Sequence, residues 1–176
     1  MLKVGIVGSE STHSQTFAGL ANLPATNGKY LFNARVTTIW GADSVRTEQV
    51  AKEKKIPVIA EKPEDMIGKV DTVMVVPRRG GQHRRYAIPF LKAGISTWVD
   101  KPFTHDYADA EALVKTAEEN RTLVCGGSIC KFCCDAIMLR KLFLQMHSTG
   151  QFISGAFNFS RDIKCAVTVW KHRLNR

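Results

Sequence analysis

The stretch that most constrains this chain is residues 3–14, KVGIVGSESTHS, an apolar run that passes through small residues into a helix. Val4, Ile6 and Val7 are almost uninterrupted by polar residues, as expected of a strand covered on both faces in a parallel sheet. Gly8, Ser9, Ser11 and Thr12 then permit a tight turn, and Phe17, Leu20 and Ala21 are the expected apolar face of the helix that follows. The free N–H groups at such a helix start favour an anion, usually a phosphate. The fingerprint G-x-G-x-x-G would put glycines where this chain has Gly8, Glu10 and His13, so one position of the three matches. A glutamate at the second position opposes a diphosphate unless it turns away. His13 has two open roles, a neutral imidazole donating to a ligand or a cap of the turn.

Beyond this turn, strand and helix alternate. Further strands are expected over residues 35–40, 56–59, 71–76, 95–99 and 122–125, with residues 24–33 looping over the surface. Helices are expected over 44–54 with Ser44 as cap, briefly after Pro63, over 82–93 with a kink or a restart at Pro89 and a stop at Gly94, after the cap Asp106, and over 136–147. In the helix after Asp106, Ala110, Leu113, Val114 and Ala117 recur at i, i+3, i+4 and i+7. Strands separated by helices of this size imply an α/β fold, a doubly wound, mainly parallel, Rossmann-like sheet over residues 1–147. The pattern changes after Gly150: Ile153, Phe157 and Phe159 alternate with Ser154, Asn158 and Ser160, the period of a strand with one face in water. Residues 148–176 are therefore expected to begin a second α/β domain that is not completed. Its uncovered apolar face is expected to drive homo-oligomerisation.

The 176 residues are 44% hydrophobic, enough for a sizeable core, and no run approaches the roughly 20 apolar residues of a membrane span. The N-terminus enters a strand directly, without a secretory pattern, so the five cysteines are expected to be reduced thiols of a cytoplasmic protein. Cys125, Cys130, Cys133 and Cys134 lack the two separated ligand pairs of a structural zinc site, which favours free thiols and no metal. The formal net charge is +9, of which residues 161–176 carry +4. With no helix-turn-helix, zinc finger or stacking motif, a nucleic-acid partner ranks last among the function classes. Arg78, Arg79, Arg84 and Arg85 follow an apolar strand, where they either meet a phosphate-bearing ligand or form a solvated face.

Several segments together resemble the Gfo/Idh/MocA family of NAD(P)-dependent oxidoreductases over residues 1–160. They are AIPFLKAGISTWVDKP with its Asp100-Lys101-Pro102 in place of the family's E-K-P, the following DYADAEALVKTAEE, Val70-Asp71-Thr72-Val73, the glycine-poor turn GSESTHSQTFAGLAN, and Ser148-Thr149-Gly150-Gln151, where the family enters its second domain. The resemblance implies an N-terminal domain that holds NAD or NADP through Gly8, Ser9, Ser11, Thr12, His13, Asp43, Asp100 and Pro102. It implies a catalytic Lys101 beside the nicotinamide and the substrate hydroxyl, often followed by a cis proline. His83 and Lys131 resemble family residues near the substrate, which would be a sugar or polyol. Asp43, close behind the second strand, either accepts from an adenosine ribose, which favours NAD, or simply caps a helix. The alternative class is a catalytically silent Rossmann fragment that binds a nucleotide or a partner subunit.

Overall fold

The structure, a computed structural model, describes residues 1–128 and 137–138. Strands β1 (Leu2–Val7), β2 (Ala34–Trp40), β3 (Val58–Ile59), β4 (Thr72–Val75), β5 (Ser96–Val99) and β6 (Val124–Gly126) form one sheet in the order β3-β2-β1-β4-β5-β6. Every neighbouring pair is parallel. The order reverses between β1 and β4, which makes the gap beyond their C-terminal ends the switch point where such sheets take ligands.

Helices α1 (Thr12–Asn22), α2 (Ser44–Glu53), α3 (His83–Lys92) and α4 (Tyr107–Glu119) divide between two faces. On one face Val4, Ile6, Val36 and Ile39 of the sheet pack with Ala18 and Ala21 of α1 and Val50 of α2. On the other, Val7, Val73, Val75 and Val99 pack with Ala87, Phe90 and Leu91 of α3 and Leu113 of α4. The expected α/β, doubly wound parallel sheet is thus the observed one, and residues 1–126 form one compact unit.

The helical faces differ from expectation in an instructive way. In α1 the buried residues are Ser14, Ala18, Ala21 and Asn22, while Leu20 is 42% exposed. In α4 they are Leu113, Thr116 and Ala117, and Val114 is 44% exposed. Small side chains let a helix axis come close to the sheet, so proximity here outranks the larger apolar residue one step round the helix. Helix α2 is capped by Asp43, whose Oδ1 accepts from the Arg46 N–H at 3.0 Å, rather than by Ser44. Helix α3 continues through Pro89. Of the helix expected over 136–147, Ile137 and Met138 are described, helical and exposed; the remainder, and the strand expected after Gly150, lie outside the described residues.

Buried Asn22 ties three elements together. Its Nδ2 donates to the carbonyls of Val36 (2.8 Å) and Lys54 (3.0 Å), and its Oδ1 accepts from the Val36 N–H (2.8 Å). Truncation leaves a buried backbone donor and acceptor unpaired, so Asn22→Ala is expected to lose about 2–4 kcal/mol in urea denaturation. A loss within the ordinary scatter of surface substitutions would show that water replaces these bonds.

Candidate functional site

Three turns meet at the switch point. The first follows β1: Gly8 donates its N–H to the Trp40 carbonyl at 2.8 Å, and Ser11 caps α1 by accepting from the His13 N–H at 3.1 Å. Ser11 O also accepts from the Ser14 N–H and hydroxyl, so the first helical turn satisfies part of its own donor set internally. The second follows β4 and presents Arg78. The third follows β5 and contains Asp100, Lys101 and Pro102, with a cis Lys101–Pro102 peptide.

The first and third turns are joined directly. His13 Nδ1 lies 2.5 Å from Asp100 Oδ2, with Asp100 buried and His13 half-buried. A carboxylate only accepts, so Nδ1 carries the shared hydrogen and Nε2 is left as the ring's other polar atom. The imidazole is further steadied by Phe17, 5.4 Å away, which in turn meets the Trp98 ring edge-on at 5.1 Å. Asp100 Oδ1 accepts from the Lys101 N–H at 2.7 Å, so one carboxylate fixes both the imidazole and the start of the lysine turn. Around this pair lies a polar cavity of about 220 Å³ lined by Ser11, Thr12, His13, Arg78, Asp100 and Lys101.

The structure therefore brings Ser11, Thr12, His13, Asp100 and Lys101 together and adds Arg78. Of the arginine cluster only Arg78 faces this cavity; Arg84 pairs with Asp109 at 2.8 Å and Arg85 lies over the Tyr86 ring. Position alone, directly after the proline that ends β4, distinguished it in the sequence.

Other expected site residues are placed elsewhere. Ser9 is fully buried, and its hydroxyl meets Thr47 Oγ1 at 2.8 Å. His83 is also fully buried: Nε2 faces the Pro77 carbonyl at 2.8 Å and Nδ1 the Phe103 carbonyl at 3.0 Å. It bridges the turns after β4 and β5 through these two carbonyls. Gly8 is buried beneath the first turn, and Pro102 sits against Gly80. Asp43 is exposed and serves as the α2 cap. Lys131 lies outside the described residues.

Glu10 occupies the second fingerprint position, and its Oε2 is buried without a hydrogen-bond partner. Among the described residues no three His, Cys, Asp or Glu side chains cluster for a metal. Cys125 is a free thiol whose pKa burial pushes up; Cys130, Cys133, Cys134 and Cys165 fall outside the described residues. No helix among the described residues is long and apolar enough to cross a membrane.

The family model described as "Oxidoreductase family, NAD-binding Rossmann fold", that of Gfo/Idh/MocA, matches residues 2–127. Among solved structures, scyllo-inositol dehydrogenase from Lactobacillus casei with bound NAD(H) and scyllo-inositol is similar at 19% identity and a TM-score of 0.66, covering 84% of this chain and 42% of that one. Myo-inositol 2-dehydrogenase from Lactobacillus plantarum is similar at 17% identity and TM-score 0.64, covering 83% of this chain and 42% of that one. UDP-N-acetylglucosamine 3-dehydrogenase from Acidithiobacillus ferrooxidans is similar at 22% identity and TM-score 0.63, covering 80% and 41%. No curated protein matches. The chain thus spans about two fifths of the length of these structures, and at such identities the likeness is one of fold.

Proposed function

Since the chain belongs to the Gfo/Idh/MocA oxidoreductase family with its NAD-binding Rossmann fold, we propose that it holds the nicotinamide dinucleotide of a dehydrogenase acting on a sugar or polyol hydroxyl. The observation that carries this reading is the His13–Asp100 bond, which puts the phosphate-type turn after β1 and the lysine turn after β5 on one cavity.

The residues present fit such a ligand in part. The start of α1 and the Arg78 guanidinium supply positive potential for a diphosphate, and Glu10 opposes it. The chemistry supplied by the dinucleotide when bound is acceptance or return of a hydride. Lys101 lines the same cavity on a turn anchored by Asp100, which supports a role in which its ammonium hydrogen-bonds a substrate oxygen and lowers the cost of its deprotonation. His13, with its tautomer fixed by Asp100, offers Nε2 as a second proton-handling group.

Titration calorimetry with NAD and NADP tests this reading. Binding of at least one dinucleotide is expected, with Lys101→Ala holding its affinity within about threefold, because an interaction with the reacting oxygen adds little to ground-state binding. Failure of either dinucleotide to bind at millimolar concentration would refute it. The Glu10 Oε2, buried without a partner, opposes the diphosphate and favours a second reading, a Rossmann unit that holds a nucleotide weakly and does not turn over. Dinucleotide binding with no oxidation of inositols or sugars under saturating cofactor would select it.

A further inference from the structure

In doubly wound sheets the residue at the end of the second strand reads the adenosine ribose: a carboxylate there accepts from the 2′-hydroxyl and repels a 2′-phosphate. Here β2 ends at Trp40 and the next residue is Gly41. Asp43, the acid that the sequence offers for this task, lies two residues beyond that position, where its Oδ1 accepts from the Arg46 N–H as the cap of α2.

Gly41 itself is held as glycine by its surroundings. A Cβ at this position would lie 1.9 Å from Ser9 Oγ, 2.6 Å from Ser9 Cβ and 2.7 Å from Thr47 Oγ1. The obstacle is not free to swing away. The Thr47 hydroxyl donates to the Asp43 carbonyl at 2.6 Å, so the 2.8 Å contact between the two hydroxyls is completed by Ser9 donating to Thr47. Both side chains are buried, and rotating Ser9 would break that bond inside the fold.

Resting on the dinucleotide-binding reading above, we propose that the Ser9–Thr47 hydroxyl pair determines cofactor selectivity: by excluding every side chain at position 41 it removes the ribose-reading carboxylate, and the site accepts NADP as readily as NAD. Ser9 acts through Gly41 and is a positioning residue. The start of α2, with Arg46 in its first turn, offers positive potential for a 2′-phosphate.

The test combines stability and binding of the full chain. Gly41→Asp alone meets Ser9 and is expected to lower the denaturation midpoint, and Ser9→Gly in the same chain is expected to restore most of it. By calorimetry at fixed ionic strength, wild type and Ser9→Gly should bind NAD and NADP within about tenfold of each other, and the folded double variant should shift that ratio toward NAD by about tenfold or more. A wild type that prefers NAD by about a hundredfold overturns this inference and leaves the dinucleotide reading intact. So does a Gly41→Asp chain as stable as wild type, or a folded double variant with an unchanged ratio. Absence of binding of either dinucleotide to wild type sinks both.

Discussion

Gly8→Ala is expected to lose about 3–5 kcal/mol of stability, a large part of what a domain of this size possesses. Gly8 has φ +108°, and a Cβ there would lie 2.7 Å from the Pro77 nitrogen, 2.9 Å from its Cδ and 3.0 Å from the Val76 carbonyl carbon. These are mostly backbone atoms at the end of the central strand β4, so relief requires moving β1 against β4 or flipping the turn. Either movement also disturbs the Gly8 bond to Trp40 and the start of α1. Gly94→Ala is the matched control: φ is +75° with nothing within 4 Å, so only backbone strain of about 1 kcal/mol is expected. Urea denaturation of both variants separates the effects. Equal losses would mean that the contact with Pro77 relaxes at no cost and that φ alone makes Gly8 necessary.

The same contrast explains what was legible in the sequence. Strands announce themselves through local runs: Ile6, Val7, Val73 and Val75 are apolar because both sheet faces are covered, and their order in the chain suffices to place them. The lysine turn was legible for a similar reason, since a strand that ends in Asp100-Lys101-Pro102 puts those residues at the ligand edge. Polar residues are different, because their roles are set by partners distant in sequence. Ser9 stands in a turn that resembles a cofactor-binding one, and nothing local shows that Thr47, 38 residues on, meets its hydroxyl. His83 stands where the family resemblance implies a substrate-side residue, and nothing local shows that the Phe103 carbonyl, 20 residues on, meets its ring. His13 gained its meaning from Asp100, 87 residues away, and no spacing rule connects the two. Leu20 misled for a further reason: hydrophobicity ranks residues by what burial gains, whereas α1 meets the sheet through what fits, Ala18 and Ala21.

Glu10→Gly is expected to tighten dinucleotide binding by roughly ten- to thirtyfold, about 1.4–2 kcal/mol. Glu10 sits where the fingerprint has the glycine that lets a diphosphate approach the backbone, and its Oε2 is buried without a donor. A diphosphate drawn toward the start of α1 brings further negative charge to a carboxylate that the fold leaves uncompensated, and partial burial weakens the screening that water provides at the surface. Glycine removes the charge and opens the approach at once. Glu10→Gln separates the two: if charge dominates, glutamine recovers most of the gain, and if bulk dominates it recovers little. Arg78→Ala supplies the opposite sign, because it withdraws a cation from the same cavity and should weaken binding. Calorimetric titration of wild type, both Glu10 variants and Arg78→Ala at one ionic strength decides the matter. Should wild type bind as tightly as Glu10→Gly, either the carboxylate turns away from the ligand or the diphosphate lies elsewhere than over the turn after β1.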